Sequence, residues 1–345
     1  MLKDETVNNY RQAKRLCPEN DDITPEVPVR DVWTNLKCWI ESFPGGFVHP
    51  CLKFDGGERK MIVTCDISTK QLLACVPQEC IWTKQRALKE MKEEGYELQE
   101  AVEAFHYPLK LISREDIFLS LSMAFMIQNP SQSSFAPYFE SLPSSESYNS
   151  IPRRWSESKL KQLLGGTSLY DRVKNERTEL KCAYDAIKQQ MKGNAILQKI
   201  PPYSLFDDMY AALSSRGFAG LSSKSSEEEE EGDAMVPLLD LLDHKRGTQG
   251  KRDVRYNKTT NQNIKDMVCV YADQHLKHKS IIYQTYGAKG NAQLLCRYGF
   301  CIPGNIEPDG KYRTYVHTYV DNFQISIVSY YIITVSKIVL TMEML

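Results

Sequence analysis

The stretch Met235-Val-Pro-Leu-Leu-Asp-Leu-Leu-Asp-His244, then Tyr283-Gln-Thr-Tyr-Gly-Ala-Lys-Gly-Asn291 and Tyr298-Gly-Phe300, decides how this chain is read. The first segment is an apolar run broken by Pro237 and Asp240 and closed by a carboxylate and an imidazole. The other two set Tyr-Gly turns against short apolar runs. Nearby, Met267–Ala272, Ile281–Thr285 and Tyr312–Val320 are rich in β-branched and aromatic residues and read as strands. A tyrosine such as Tyr286, taken alone, reads as a strand-end aromatic packed on a turn.

Strand character also marks the other end of the chain. Val32–Ser42 repeats Trp33, Leu36, Trp39 and Ile40 at helical spacing until Pro44-Gly45-Gly46 stops it. The runs Val48–Phe54, Lys60–Cys65 and Gln71–Val76 follow, separated by turns, and predict a small antiparallel sheet. Between the two β-rich regions lie helical patterns over Lys84–Phe105, Arg114–Gln128, Leu169–Met191 and Ser204–Ser214. Sheet, helices, sheet is better explained by one sheet domain with a helical excursion than by two sequential domains. The expected divisions are a lead-in over 1–30, an N-terminal half over 31–113 and a helical insert over 114–221. An acidic disordered loop over 222–233, a C-terminal half over 234–302 and a short region over 303–345 complete it.

Composition narrows the classes of function. Among 345 residues, 43 Lys and Arg face 44 Asp and Glu, so no bulk attraction to nucleic acid or an anionic membrane arises. The Lys-rich stretch Lys245–Lys258 is short and reads as a solvated loop. Ten cysteines show no CxxC pair and no matching His spacing, so neither a metal site nor a disulfide framework is expected, and a reducing compartment is. Ser222–Asp233, with its run of glutamates, reads as a solvated insertion. Gln324–Met342 is nearly uncharged and about as long as a bilayer span, but Lys337 and its Ser and Thr residues favour a strand or a poorly packed tail over a tail anchor.

Taken in order, the motifs resemble the SET-domain protein methyltransferases, in the branch of the Rubisco lysine and actin histidine methyltransferases. That family's pattern is Pro-x-x-Asp-x-x-Asn-His, then Tyr-Gly-x-x-Ser-Asn and Tyr-Gly-Phe. Gly45-Gly-Phe-Val-His-Pro50, Gly56-Gly-Glu-Arg-Lys-Met61 and Leu72–Pro77 resemble its N-terminal half. Phe135-Ala-Pro-Tyr138, Leu164-Gly-Gly-Thr167 and Ser214-Ser-Arg-Gly-Phe218 resemble its insert. The resemblance covers roughly residues 30–302.

It implies an α+β fold: small twisted sheets, a knotted C-terminal core and a helical insert. It implies methyl transfer from S-adenosylmethionine (SAM) to a lysine, or alternatively a histidine, of a non-histone protein. By the same resemblance Tyr286 is the catalytic tyrosine, orienting the nucleophile and stabilising the polarised methyl. Arg59, Arg216, Asp240, Asp243, His244 and Phe300 are cofactor-contacting positions, His244 mainly through its backbone, and no metal is implied. An alternative for Arg216 is a helix C-terminal charge beside Gly217. The expected partner is a protein substrate, with no nucleic acid, no membrane, and a monomer in the cytoplasm or nucleus, a plastid location being left open.

The chain departs from the family pattern at several positions. Asp243 stands where the family has Asn, and an ionised carboxylate only accepts hydrogen bonds where an amide also donates. Lys60 stands at the glycine of the family's cofactor loop. Lys70-Gln71 and Lys279-Ser280 occupy Gly-Glu turns, and Gly290 replaces a serine. Where glycine serves a positive φ, lysine is strained. The short region after Phe300 lacks the branch's full helical substrate-binding domain. These departures carry the alternative reading, a catalytically degenerate SET domain that binds a protein.

Overall fold

The computed structural model describes residues 31–130, 133–192, 200–219, 233–245, 255–256, 267–287 and 289–305. The lead-in 1–30, all of the acidic loop except Asp233, Tyr312–Val320 and the apolar tail Gln324–Met342 lie outside the described residues. In chain order the elements are α1 (Val32–Glu41), β1 (Phe47–Val48), β2 (Leu52–Asp55), β3 (Lys60–Val63), β4 (Leu72–Pro77), α2 (Lys84–Met91), α3 (Glu93–Ala104) and α4 (Arg114–Gln128). Then follow α5 (Ala136–Phe139), α6 (Glu157–Leu164), α7 (Ser168–Gln190), α8 (Tyr203–Arg216), β5 (Phe218–Ala219) and β6 (Asp233–Ala234). The series ends with β7 (Asp243–His244), β8 (Arg255–Tyr256), β9 (Met267–Tyr271), β10 (Tyr283–Gln284) and α9 (Asn291–Tyr298). These elements fall into two compact units.

The first unit joins the chain through Trp82 to residues 134–141 and 235–286. Asp31 caps α1, its carboxylate accepting from the Thr34 N–H at 2.8 Å, and the helix buries Leu36 and Ile40. The main sheet runs β1-β4-β9-β8, antiparallel throughout. All six residues of β4 are buried, which is why this strand is a continuous apolar run rather than an alternating one. Beyond the sheet, the two β-rich regions zip together by backbone hydrogen bonds. Ile67 and Leu276 exchange a pair at 2.8 and 2.9 Å, Ile282 donates to Met61, and Val63 donates to Ser280. Residues 134–141, grouped with the helical insert in the sequence reading, pack here: Phe135 and Phe139 meet the Trp82 ring edge-on at 4.9 and 5.2 Å. Edge-to-face contact of buried aromatics adds to the area they remove from water.

The second unit is mainly helical. Its α4, capped by Ser113, is buried from Ile117 through Met126, the signature of a helix covered on all sides. Arg153 pairs with Asp207 and Glu176, and Arg154 with Asp207 and Asp208, so the buried guanidinium of Arg153 does not go uncompensated. The Lys84–Phe105 pattern, read as one helix, is two: Lys92, at φ 55°, breaks it between α2 and α3. No helix among the described residues is long and apolar enough to cross a membrane.

Two expectations from the sequence are corrected. Cys51 and Cys65 form a disulfide beside the β2–β3 hairpin, where spacing had suggested none. The hairpin brings together residues 14 apart, a pairing invisible to a search for short cysteine motifs. It also runs against the reducing compartment inferred from composition. The second correction concerns the lysines. Lys70 and Lys279 do adopt positive φ, 66° and 64°, but Lys60 does not; the positive φ in that loop falls on Arg59, at 52°.

An L-residue forced left-handed costs about 1–2 kcal/mol, and glycine gives back about 0.5–1 kcal/mol of that through the unfolded chain. Lys70→Gly and Lys279→Gly should each raise unfolding free energy by about 0.5–1 kcal/mol in urea titrations, with Lys60→Gly giving no gain; an equal gain at Lys60 would contradict the assignment. Dithiothreitol should lower the stability of the wild type by about 2–3 kcal/mol, as expected for a loop of this length, and leave Cys51→Ser unaffected.

Candidate active site

The segment Met235–His244 is anchored at its start, where Met235 and Trp82 exchange backbone hydrogen bonds at 3.0 Å in each direction. It then enters a single 3₁₀ turn, Leu239–Leu241, through Leu238 at φ 74° and ψ −43°, close to the strained γ-turn geometry. Asp240 in this turn is 3% exposed, and the buried Tyr138 phenol donates to its Oδ2 at 3.2 Å. Leucine has no local hydrogen-bonding reason to adopt positive φ. The turn is therefore held by its surroundings.

From Leu242 the chain straightens into β7 and pairs in parallel with β10, Asp243 beside Tyr283 and His244 beside Gln284. Lys245 N–H donates to the Gln284 carbonyl at 3.0 Å. Two residues past β10, Tyr286 is fixed at both ends. Its N–H donates to His244 Nδ1 at 3.0 Å, and its phenol donates to the Leu242 carbonyl at 3.1 Å. The two rings stack at 5.0 Å and 25°. An imidazole Nδ1 that accepts from a backbone amide is unprotonated there, so a neutral ring carries its proton on Nε2. The family resemblance gave His244 a backbone role; its side chain, in addition, positions Tyr286.

The remaining sequence-derived positions divide. In the first unit Asp243 is exposed on β7. Arg59 donates through Nη2 to the Ser141 carbonyl at 3.1 Å and lies 5.4 Å over the Phe54 ring. Lys60 turns its ammonium to Glu58 at 2.7 Å, and this hydrogen bond, first among several causes, raises its pKa. With its side chain 34% exposed, its stem is not a buried plug. Arg216 and Phe300 belong to the second unit: Arg216 is the last residue of α8, and Phe300 follows Gly299 at the end of α9.

The geometry of that second unit explains the Tyr-Gly-Phe motif. Gly299 sits at φ 78°, and a Cβ there would lie 2.1 Å from Ser150 Oγ. Arg297 ties α9 to the Ser214 carbonyl at 2.6 Å and to Asp233 at 3.1 Å. Asn291 and Ile302 exchange hydrogen bonds at 3.0 Å, and Asn305, 7% exposed, donates to the Lys289 carbonyl at 3.0 Å. Burial lowers the Lys289 pKa from its usual value.

Sequence reasoning passed over Tyr138, Gln284, Arg297 and Asn305 as working residues. Among them Gln284 carries a signal, an amide directly after the apolar Ile281-Ile-Tyr283 run. No cluster of His, Cys, Asp and Glu among the described residues could hold a metal ion.

No family model matches the chain. It is 24% identical over 253 residues to N-lysine methyltransferase setd6 of Xenopus laevis, covering 70% of this chain and 50% of that protein. It is 25% identical over 189 residues to N-lysine methyltransferase SETD6 of Homo sapiens, covering 54% and 38%. The chain thus spans half or less of the length of these curated relatives. In fold it is similar to the SET domain of LSMT bound to lysine and AdoHcy, with a TM-score of 0.61 and 20% identity, covering 81% of this chain and 59% of that one. It is likewise similar to Rubisco LSMT bound to AdoMet, at 0.60 and 18%, covering 80% and 57%. The order of motifs, the small sheets and these likenesses together make this an α+β chain with the SET-domain fold, resembling the protein lysine methyltransferases.

Proposed function

We propose that the chain transfers the methyl group of SAM to the ε-amine of a lysine in a protein. The observation that carries this reading is Tyr286, whose phenol meets the Leu242 carbonyl while its backbone is clamped by His244. SAM supplies an electrophilic methyl on a sulfonium when bound. The chain's own Tyr286 fits the methyl end of that group, since its phenol oxygen can accept from a polarised C–H bond while it donates to Leu242. The backbone of Asp243 and His244 would hold the cofactor, the exposed Asp243 carboxylate favouring its ammonium over its carboxylate. Arg216 and Phe300 enter by resemblance alone.

Tyr286 orients rather than deprotonates. An ordinary phenol ionises near pH 10, so it is a poor base for an ammonium of similar pKa. Its work is to fix the amine in line with the bond that breaks, which is where positioning yields most of its rate. A near-balanced charge count supports a protein rather than a nucleic-acid partner.

The test uses tritiated SAM and poly-L-lysine as acceptor, alongside calorimetric titration of SAM. Wild type should bind SAM saturably and transfer label. Tyr286→Phe should lose about 100-fold or more in transfer while its affinity for SAM changes less than about threefold, an energy below 1 kcal/mol. Full turnover in Tyr286→Phe would reject the assignment. No SAM binding at high micromolar concentration would leave a protein-binding module with a degenerate site, the reading favoured by Asp243 and the positive-φ lysines.

A further inference from the structure

We infer that Gln284 is a positioning residue of this site, setting the carbonyl against which the Tyr286 phenol is aligned. The inference deepens the methyl-transfer reading and rests on it for its catalytic consequence. Gln284 lies on β10, opposite His244 across the parallel pair, and is 9% exposed. Its Nε2 donates to the Leu239 carbonyl at 2.9 Å and to the Leu242 carbonyl at 3.1 Å. An amide nitrogen has two protons, so both donations are satisfied at once. The Leu242 oxygen, in turn, receives the Tyr286 phenol at 3.1 Å.

One side chain therefore spans the 3₁₀ turn from its first carbonyl to the one that follows it. That turn is entered through Leu238 in a strained conformation, which needs outside contacts to persist. Tyr138 holds it through Asp240, whereas Gln284 holds the two carbonyls. Of these two, the Gln284 contacts reach the oxygen that Tyr286 uses. Removing the donor pair leaves the Leu242 carbonyl without its side-chain support, although the Leu242 N–H still donates to the Leu239 carbonyl, and the phenol then loses its fixed acceptor. Methyl transfer to a lysine asks that this phenol be aimed to within a fraction of an ångström.

Gln284→Met keeps length and removes both donors. Gln284→Glu keeps shape, presents only acceptors while ionised, and regains one donor on protonation. The full chain is prepared with tyrosine labelled with carbon-13 at the ring Cζ, and the Tyr286 signal is identified by its absence in Tyr286→Phe. Gln284→Met should move the Tyr286 signal while leaving that of Tyr138, on Asp240, in place. Gln284→Glu should move it at neutral pH and return it toward the wild-type position as the pH falls.

In the tritium assay with poly-L-lysine, kcat in Gln284→Met should fall tenfold or more with KM for SAM within twofold. An unmoved Tyr286 signal in Gln284→Met, or equal movement of the Tyr138 signal, overturns the inference whether or not the chain methylates anything. A wild type that transfers no label defeats the methyl-transfer reading and leaves the carbon-13 result to decide the positioning role. Should Gln284→Glu fail to fold, Gln284→Met decides alone.

Discussion

The parallel register of Tyr283–Gln284 beside Asp243–His244 is the constraint on which the candidate site depends. Two residues from each segment suffice to form it, and four functional contacts follow. His244 receives the Tyr286 amide, Leu242 receives its phenol, and Gln284 reaches back to Leu239 and Leu242. A slip of one residue in the pairing would exchange the faces of Tyr283 and Gln284. The amide that is buried against carbonyls would then face out, and an aromatic ring would enter a polar turn.

So short a pair cannot sustain its own register. It is fixed from outside by the longer zipper in which Met61, Val63 and Ile67 meet Ile282, Ser280 and Leu276. The sheet order, with β4 flanked by β1 and β9, joins the same two regions of chain. Cys75 and Cys269 stand directly opposite within it, their sulfurs 2.8 Å apart, and their hydrogen bond raises the pKa of the Cys75 thiol. Positive-φ lysines at 70 and 279 lie at the turns of this zipper, where the Lys70 and Lys279 amides donate to the Ala272 and Val63 carbonyls. Their strain is thus spread through the scaffold. It does not fall on Tyr286 or its clamps.

Much of this was legible in the residues themselves. The helical spacing of Trp33, Leu36, Trp39 and Ile40 and the β-branched runs around Lys60–Cys65 and Leu72–Pro77 reflect burial patterns that one segment carries alone. The order of motifs pointed to the fold, and the positive φ at Lys70 and Lys279 followed from the glycine pattern they break. What stayed hidden depends on partners far along the chain. Tyr138 reaches Asp240 over 102 residues, the Cys51–Cys65 bridge needs a hairpin to close it, and Gln284 acts on carbonyls, which carry no side-chain signature. The shift of positive φ from Lys60 to Arg59 has the same origin, since the β2–β3 register, not the local sequence, chooses which residue bears the turn.

The proposed function requires Leu242–Lys245 and Tyr283–Tyr286 to hold the cofactor as one structure. Amide hydrogen exchange, followed by mass spectrometry with and without SAM, tests it most directly. Peptides covering both segments should slow their exchange together, and to a similar degree, as SAM is added. Exchange in either segment that is indifferent to SAM, while the other responds, would contradict it.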